Sequence, residues 1–151
     1  MKKTVHTHFI AILAAGLLGA MPMASNADST EAKQVQTDVQ KVIFQVSDND
    51  PAKWNLTLNN AFNFQQEFGP QHSNIEIVAY GPGINMLKFE SVVGSRIMDA
   101  LQAGIRVAAC QNTMKAQKLT DKDMLANLDY VPSGVGELVM KQHQGFAYIR
   151  P

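Results

Sequence analysis

From residue 41 onward, short runs of branched and aromatic residues alternate with stretches whose apolar positions recur at helical spacing. Val42-Ile43-Phe44-Gln45-Val46 reads as a first strand, because such side chains suit a pleated, buried surface. Asp50-Pro51 then opens a helix. Aspartate at an N-cap accepts from a free N–H of the first turn, and proline at the first helical position lacks an N–H that would have no partner anyway. Trp54, Leu58, Ala61, Phe62 and Gln65 follow helical spacing, Asn59, Asn60 and Asn63 lie on a more polar side, and Gly69-Pro70 ends the helix.

The alternation continues to the C-terminus. Ile75 to Tyr80 forms a second strand, stopped by Gly81-Pro82-Gly83, which reads most simply as a tight turn. A second helix is predicted from about Phe89 to Gln102, with Val92, Val93, Ile97 and Leu101 inward and Gly104 as its stop. Ile105 to Cys110 is a third strand. Thr120, with Asp123 three residues on and Leu119 and Met124 placed as a hydrophobic staple, marks a further helix start. Tyr130-Val131-Pro132 is a fourth strand, Ser133 caps a helix to about Gln142 that Gly145 closes, and Phe146 to Ile149 is a fifth strand. Strands separated by helices imply βαβ units, so the predicted fold is a three-layer α/β/α sandwich around a parallel sheet.

Before this domain lie two segments of different character. Lys2 and Lys3, the apolar run Phe9–Ala20, the break at Pro22 and the small residues Ser25-Asn26-Ala27 have the form of a signal peptide cleaved after Ala27. The apolar run is too short to span a bilayer. Residues 28–40 are polar and glycine-free and read as a flexible lead-in to a domain over 41–151. The expected mature chain is one soluble periplasmic domain with no membrane attachment, large enough for its own core.

Charge then narrows the partners. Lys and Arg total 13, as do Asp and Glu. Loss of Lys2 and Lys3 leaves the mature chain slightly acidic, and no basic cluster stands out to meet a nucleic acid. His72 and His143 are the histidines of the mature chain, and neither stands at ligand spacing with another donor, so no metal and no cofactor is expected.

Cys110 is the single cysteine. In an exported chain it is either buried and inert or free to react. Ligands of parallel sheets bind beyond the carboxyl ends of the strands, and Cys110 falls on that edge, followed by the polar Gln111-Asn112-Thr113. If a helical turn starts at Asn112 or Thr113, its free N–H groups face the sulfur and favour the thiolate. Tyr80, Gly81 and Gly83 reach the same edge and are, with Asn112 and Thr113, the candidate substrate-binding residues. Gly134-Val135-Gly136 lacks the third glycine of a dinucleotide fingerprint, since position 139 is Val139.

Four segments carry a resemblance: Ala109-Cys110-Gln111-Asn112-Thr113-Met114, Ala79-Tyr80-Gly81-Pro82-Gly83, Val131-Pro132-Ser133-Gly134-Val135 and the ending Gln144 to Pro151. Together they resemble the DsrE/DsrF-like family, which is related to sulfur-relay proteins. The resemblance implies a five-stranded parallel sheet in the order 4-3-2-1-5 and homo-oligomers, trimers or hexamers. It also implies that Cys110 carries sulfur as a persulfide, exchanging it with a donor or acceptor protein or a small thiol. The relay members work in the cytoplasm, whereas a signal-bearing chain meets other partners. The leading expectation is therefore an exported sulfur carrier or sulfurtransferase acting through Cys110. The alternative is a non-enzymatic small-ligand binding or oligomeric assembly module in the periplasm.

Overall fold

The computed structural model describes residues 38–151. The expected signal peptide and most of the expected lead-in lie outside the described residues. Five strands form one parallel sheet in the order β4-β3-β2-β1-β5: β1 (Gln40–Val46), β2 (Ser73–Ala79), β3 (Arg106–Cys110), β4 (Asp129–Val131) and β5 (Ala147–Ile149). Four α-helices connect them: α1 (Pro51–Phe68), α2 (Gly94–Gln102), α3 (Gln111–Ala116) and α4 (Gly134–His143). The expected sandwich and strand order are present.

The topology divides the helices unequally. From β1 to β4 each strand lies beside the one before it, stepping in one direction, so right-handed crossovers place α1, α2 and α3 on one face. The step from β4 to β5 crosses the sheet the opposite way and puts α4 on the other face. Alternation along the strands matches this division. Val42, Phe44, Val46, Ile75, Ile77, Ala79, Val107 and Ala109 join Trp54, Leu58, Ala61, Ile97, Ala100 and Met114 in the large core. Ile43, Val78 and Ala108 instead meet Val131, Leu138 and Phe146 on the α4 face. The central strands are nearly continuous apolar runs because both of their faces are covered.

Local signals explain the first helix well. Asp50 accepts from the Ala52 N–H at 2.9 Å, the Trp54 indole donates to the Asp48 carbonyl at 2.8 Å, and Gly69 caps the end with its N–H on the Gln65 carbonyl. Ser133 caps α4 by accepting from Gly136 at 3.1 Å.

Three expectations need correction. The second helix begins at Gly94, not Phe89, and Val92 is 76 % exposed rather than inward. The chain before it is held elsewhere: Lys88 pairs antiparallel with Met124, and the Phe89 N–H donates to the Asp123 carbonyl at 2.9 Å. The Thr120 signal starts only a three-residue 3-10 turn, Asp121–Asp123. Its capping box is formed, with Asp123 accepting from the Thr120 N–H at 2.7 Å. The bridge at Met124 then pulls the chain into extended form. Finally, Gly81-Pro82-Gly83 is the first turn of a 3-10 helix reaching Leu87, rather than an isolated tight turn. Strand ends differ by a residue or two: Gln40, expected in the lead-in, opens β1, and β2 starts at Ser73.

Candidate functional site

Cys110 is the last residue of β3 and the N-cap of α3. Ala79 of β2 pairs with Ala109 of β3, so Tyr80 and Cys110, one residue further along each strand, end side by side. Both share the parity of Val78 and Ala108 and therefore face α4. The sulfur is enclosed, with Cys110 only 4 % exposed.

Four donors face it. Burial pushes the thiol up, but the Thr113 hydroxyl and the backbone N–H groups of Thr113, Gly134 and Asn112 outweigh it and hold Cys110 below its ordinary value. Cys110 closes no conventional capping hydrogen bond. These groups act instead as oriented dipoles that favour the charged sulfur. They come from two places: Asn112 and Thr113 lie in the first turn of α3, and Gly134 is the first residue of α4. Because the Ser133 side chain is occupied by Gly136, the Gly134 N–H is left for the sulfur.

A short relay orients the hydroxyl. Thr113 Oγ1 accepts from the Gly81 N–H at 2.9 Å. A hydroxyl carries one proton, so an accepted bond from Gly81 leaves that proton free to turn toward the sulfur.

Glycine is required at two nearby positions. A Cβ on Gly134 would lie 2.8 Å from Tyr80 Cβ and Cδ1, so the aromatic ring occupies the space a side chain would need. A Cβ on Gly83 would lie 2.4 Å from the Val46 carbonyl oxygen. The Gly83 N–H donates to Ser47 and Tyr80 carbonyls, both at 3.1 Å.

The structure thus gathers Cys110, Thr113, the Asn112 backbone, Tyr80 and Gly81 at one point. The Asn112 side chain is exposed, and its N–H is shared with the Pro132 carbonyl at 3.2 Å. Gly83 seats the 3-10 helix against β1 instead of touching the sulfur. Gly134 was missed as a site residue. Its signal was the pair Ser133-Gly134, a cap followed by a residue with no side chain, at the end of the neighbouring strand.

Next to this point lies a polar network. Burial, followed by the field of Tyr148, raises the Tyr80 phenol. The Tyr148 hydroxyl donates to the Gln45 side-chain carbonyl. Asp48, half-buried, is lowered by hydrogen bonds from Lys53 at 3.0 Å and Arg150 at 3.3 Å. An apolar hollow of about 260 Å³ lined by Pro132, Ser133, Gly136, Glu137 and Met140 flanks the start of α4. Among the described residues no three His, Cys, Asp or Glu side chains gather as a metal site needs.

The sequence profile of the DsrE/DsrF-like family matches residues 40–151. The chain belongs to this family. A solved protein of unknown function from Methanobacterium thermoautotrophicum, MTH1491, is 34 % identical, with 74 % of this chain and 99 % of that one covered at a TM-score of 0.71. A conserved protein of unknown function from Bacteroides thetaiotaomicron, BT1422, shares the fold at 17 % identity and TM-score 0.61, covering 74 % of this chain and 95 % of its own. The ychN protein of E. coli does so at 8 % identity and TM-score 0.62, covering 75 % and 100 %. No curated protein matches the chain. In this DsrE/DsrF-like chain Cys110 stands at the junction of two helix starts.

Proposed function

We propose that this DsrE/DsrF-like protein is a sulfur carrier in which the Cys110 thiolate takes and returns one sulfane sulfur. The observation that carries the reading is the set of four donors around a thiol held below its ordinary value despite burial. A merely packed cysteine has no need of them.

The chemistry balances without an external oxidant. The Cys110 thiolate attacks the terminal sulfur of a persulfide donor, R–S–SH; the new S–S bond forms as the donor's breaks, giving Cys110–S–SH and the thiolate R–S⁻. An acceptor thiolate then attacks the terminal sulfur and releases Cys110 as the thiolate. With Cys110 the single cysteine, no internal thiol intercepts the persulfide. Thr113, Gly81 and the N–H groups of Asn112 and Gly134 stabilise the sulfur anion at the start and end of each transfer.

The location and assembly belong to the same proposal. The Lys2-Lys3, apolar and Ser25-Asn26-Ala27 pattern supports export, with a mature chain starting at Asp28. The exposed Val135, Val139 and Met140 of α4 and Tyr148 and Ile149 of β5 support self-association. N-terminal sequencing of the periplasmic protein and light scattering at micromolar concentration test these two points; a retained Met1 or a strict monomer refutes the respective one.

Burial of the sulfur favours a second reading, a non-enzymatic binding or assembly module in which Cys110 packs. Intact mass after incubation with a glutathione persulfide separates the two. The carrier gains one sulfur atom, removed by reductant and absent in Cys110→Ser; the binding module gains none.

A further inference from the structure

On the α4 face, beside the apolar cluster of Ile43, Val78 and Leu138, lies a buried charge cluster. Glu76 of β2 is fully buried, and its Oε2 accepts from Lys141 Nζ of α4 at 2.7 Å and from Arg106 Nη1 at 2.7 Å. Its Oε1 has no partner among the described residues. Glu137 Oε1 lies 3.6 Å from the same Lys141 ammonium, which also sits 4.9 Å from the centre of the Phe146 ring. Arg106 reaches on to Asp129 at 2.9 Å and is part-exposed, whereas Lys141 is only 8 % exposed.

A buried pair of this kind is a poor source of stability, since desolvation offsets most of its attraction and apolar residues of like volume serve as well. What it supplies is direction. Lys141 is the charged tie between the sheet and the later part of α4. Seven residues earlier on the same helix stands Gly134, whose N–H faces Cys110. Seven residues of helix span about 10 Å, and the four extended steps from Glu76 in β2 to Tyr80 just past its end span about 13 Å. The helix thus runs back along the sheet fixed at both ends, by Glu76–Lys141 at one and by Tyr80 against Gly134 at the other.

We propose that the buried Glu76–Lys141 pair is a positioning device that sets where α4 lies along the sheet and so keeps the Gly134 N–H against the Cys110 sulfur. Leu138, Ile43 and Val78 give the helix its apolar seat, but apolar contact is non-directional and allows it to slide. The ion pair does not. This inference rests on the reading of Cys110 as an activated thiol.

The test measures iodoacetamide alkylation of Cys110 against pH in the wild type, Lys141→Met and Glu76→Gln, each checked for folding by circular dichroism. Leu58→Ala, buried on the opposite face, serves as a control for general destabilisation. The expected result is a midpoint raised by half a pH unit or more in both pair variants, which slows labelling about threefold below neutral pH. Leu58→Ala leaves the midpoint unchanged. Should a single variant not fold, the double variant E76Q/K141M, which removes both charges of the pair together, decides in its place. Folded variants with the wild-type midpoint overturn the positioning role while the Cys110 reading stands. A wild-type midpoint at the ordinary thiol value of about 8.5 overturns the Cys110 reading itself, and this inference with it.

Discussion

The two faces of the sheet are built on different principles. Against α1, α2 and α3, the sheet buries a broad, almost wholly apolar core. Against α4, a smaller apolar cluster is bordered by Glu76, Lys141 and Glu137 at one end and by Tyr80 and Cys110 at the other. Apolar burial is strong and tolerant of small shifts, so the first face holds the fold together. Charges and oriented N–H groups demand particular distances, so the second face can hold a thiol in a chosen state. Stability and chemistry are thereby separated across one sheet.

The largest expected effect tests the first half of this contrast. Leu58→Ala removes a fully buried side chain from the large core and should cost about 2–5 kcal/mol in denaturant unfolding. The rate of Cys110 alkylation in the folded protein should not change. A slower thiol in this variant would break the separation.

Gly134→Ala is expected to come next. The new Cβ meets Tyr80 at 2.8 Å, so ring or helix must move, at about 1–3 kcal/mol. The movement also draws an N–H from the sulfur. Both the melting temperature and the alkylation midpoint should respond, and the midpoint should rise.

Thr113→Val acts on the relay alone. It leaves the Gly81 N–H without its acceptor and the sulfur without a hydroxyl donor, for about 1 kcal/mol of stability. The thiol should rise toward its ordinary value. A stability loss with an unchanged thiol would show that the hydroxyl serves only Gly81.

The smallest effect depends on pH. Cys110 is lowered in the folded protein, so its thiolate contributes stability that is fully present above the unfolded value, about 8.5, and is lost as pH falls through the lowered folded value. The stability of wild type relative to Cys110→Ser should therefore grow as pH rises through that window. A difference that stays flat with pH would place Cys110 among ordinary packed cysteines.

Much of the first face was legible in the chain. Continuous apolar strands, the Asp50-Pro51 start and Gly69 are local signals, and the helices they mark pack as local preference directs. The signals failed where distant segments intervened. Phe89 to Val93 have helical spacing, but the Lys88–Met124 bridge takes that stretch out of the helix. On the second face the cysteine, Thr113 and the strand edge were readable, because strand ends and polar residues lie close in sequence. Glu76 and Lys141 were not. A glutamate inside a strand and a lysine late in a helix look like ordinary solvent-facing residues, and only the crossover from β4 to β5 brings α4 over β2. Gly134 was hidden for the same reason: what matters there is a backbone N–H and the absence of a side chain, neither of which leaves a mark in the pattern of apolar positions.

The central claim is that Cys110 is an activated thiol in spite of its burial, and the rate of iodoacetamide alkylation of the native wild-type protein across pH tests it most directly. An activated thiol keeps its rate below neutral pH and shows a midpoint under the ordinary value of about 8.5. A midpoint at or above that value, or labelling that starts only when the protein unfolds, would contradict the account.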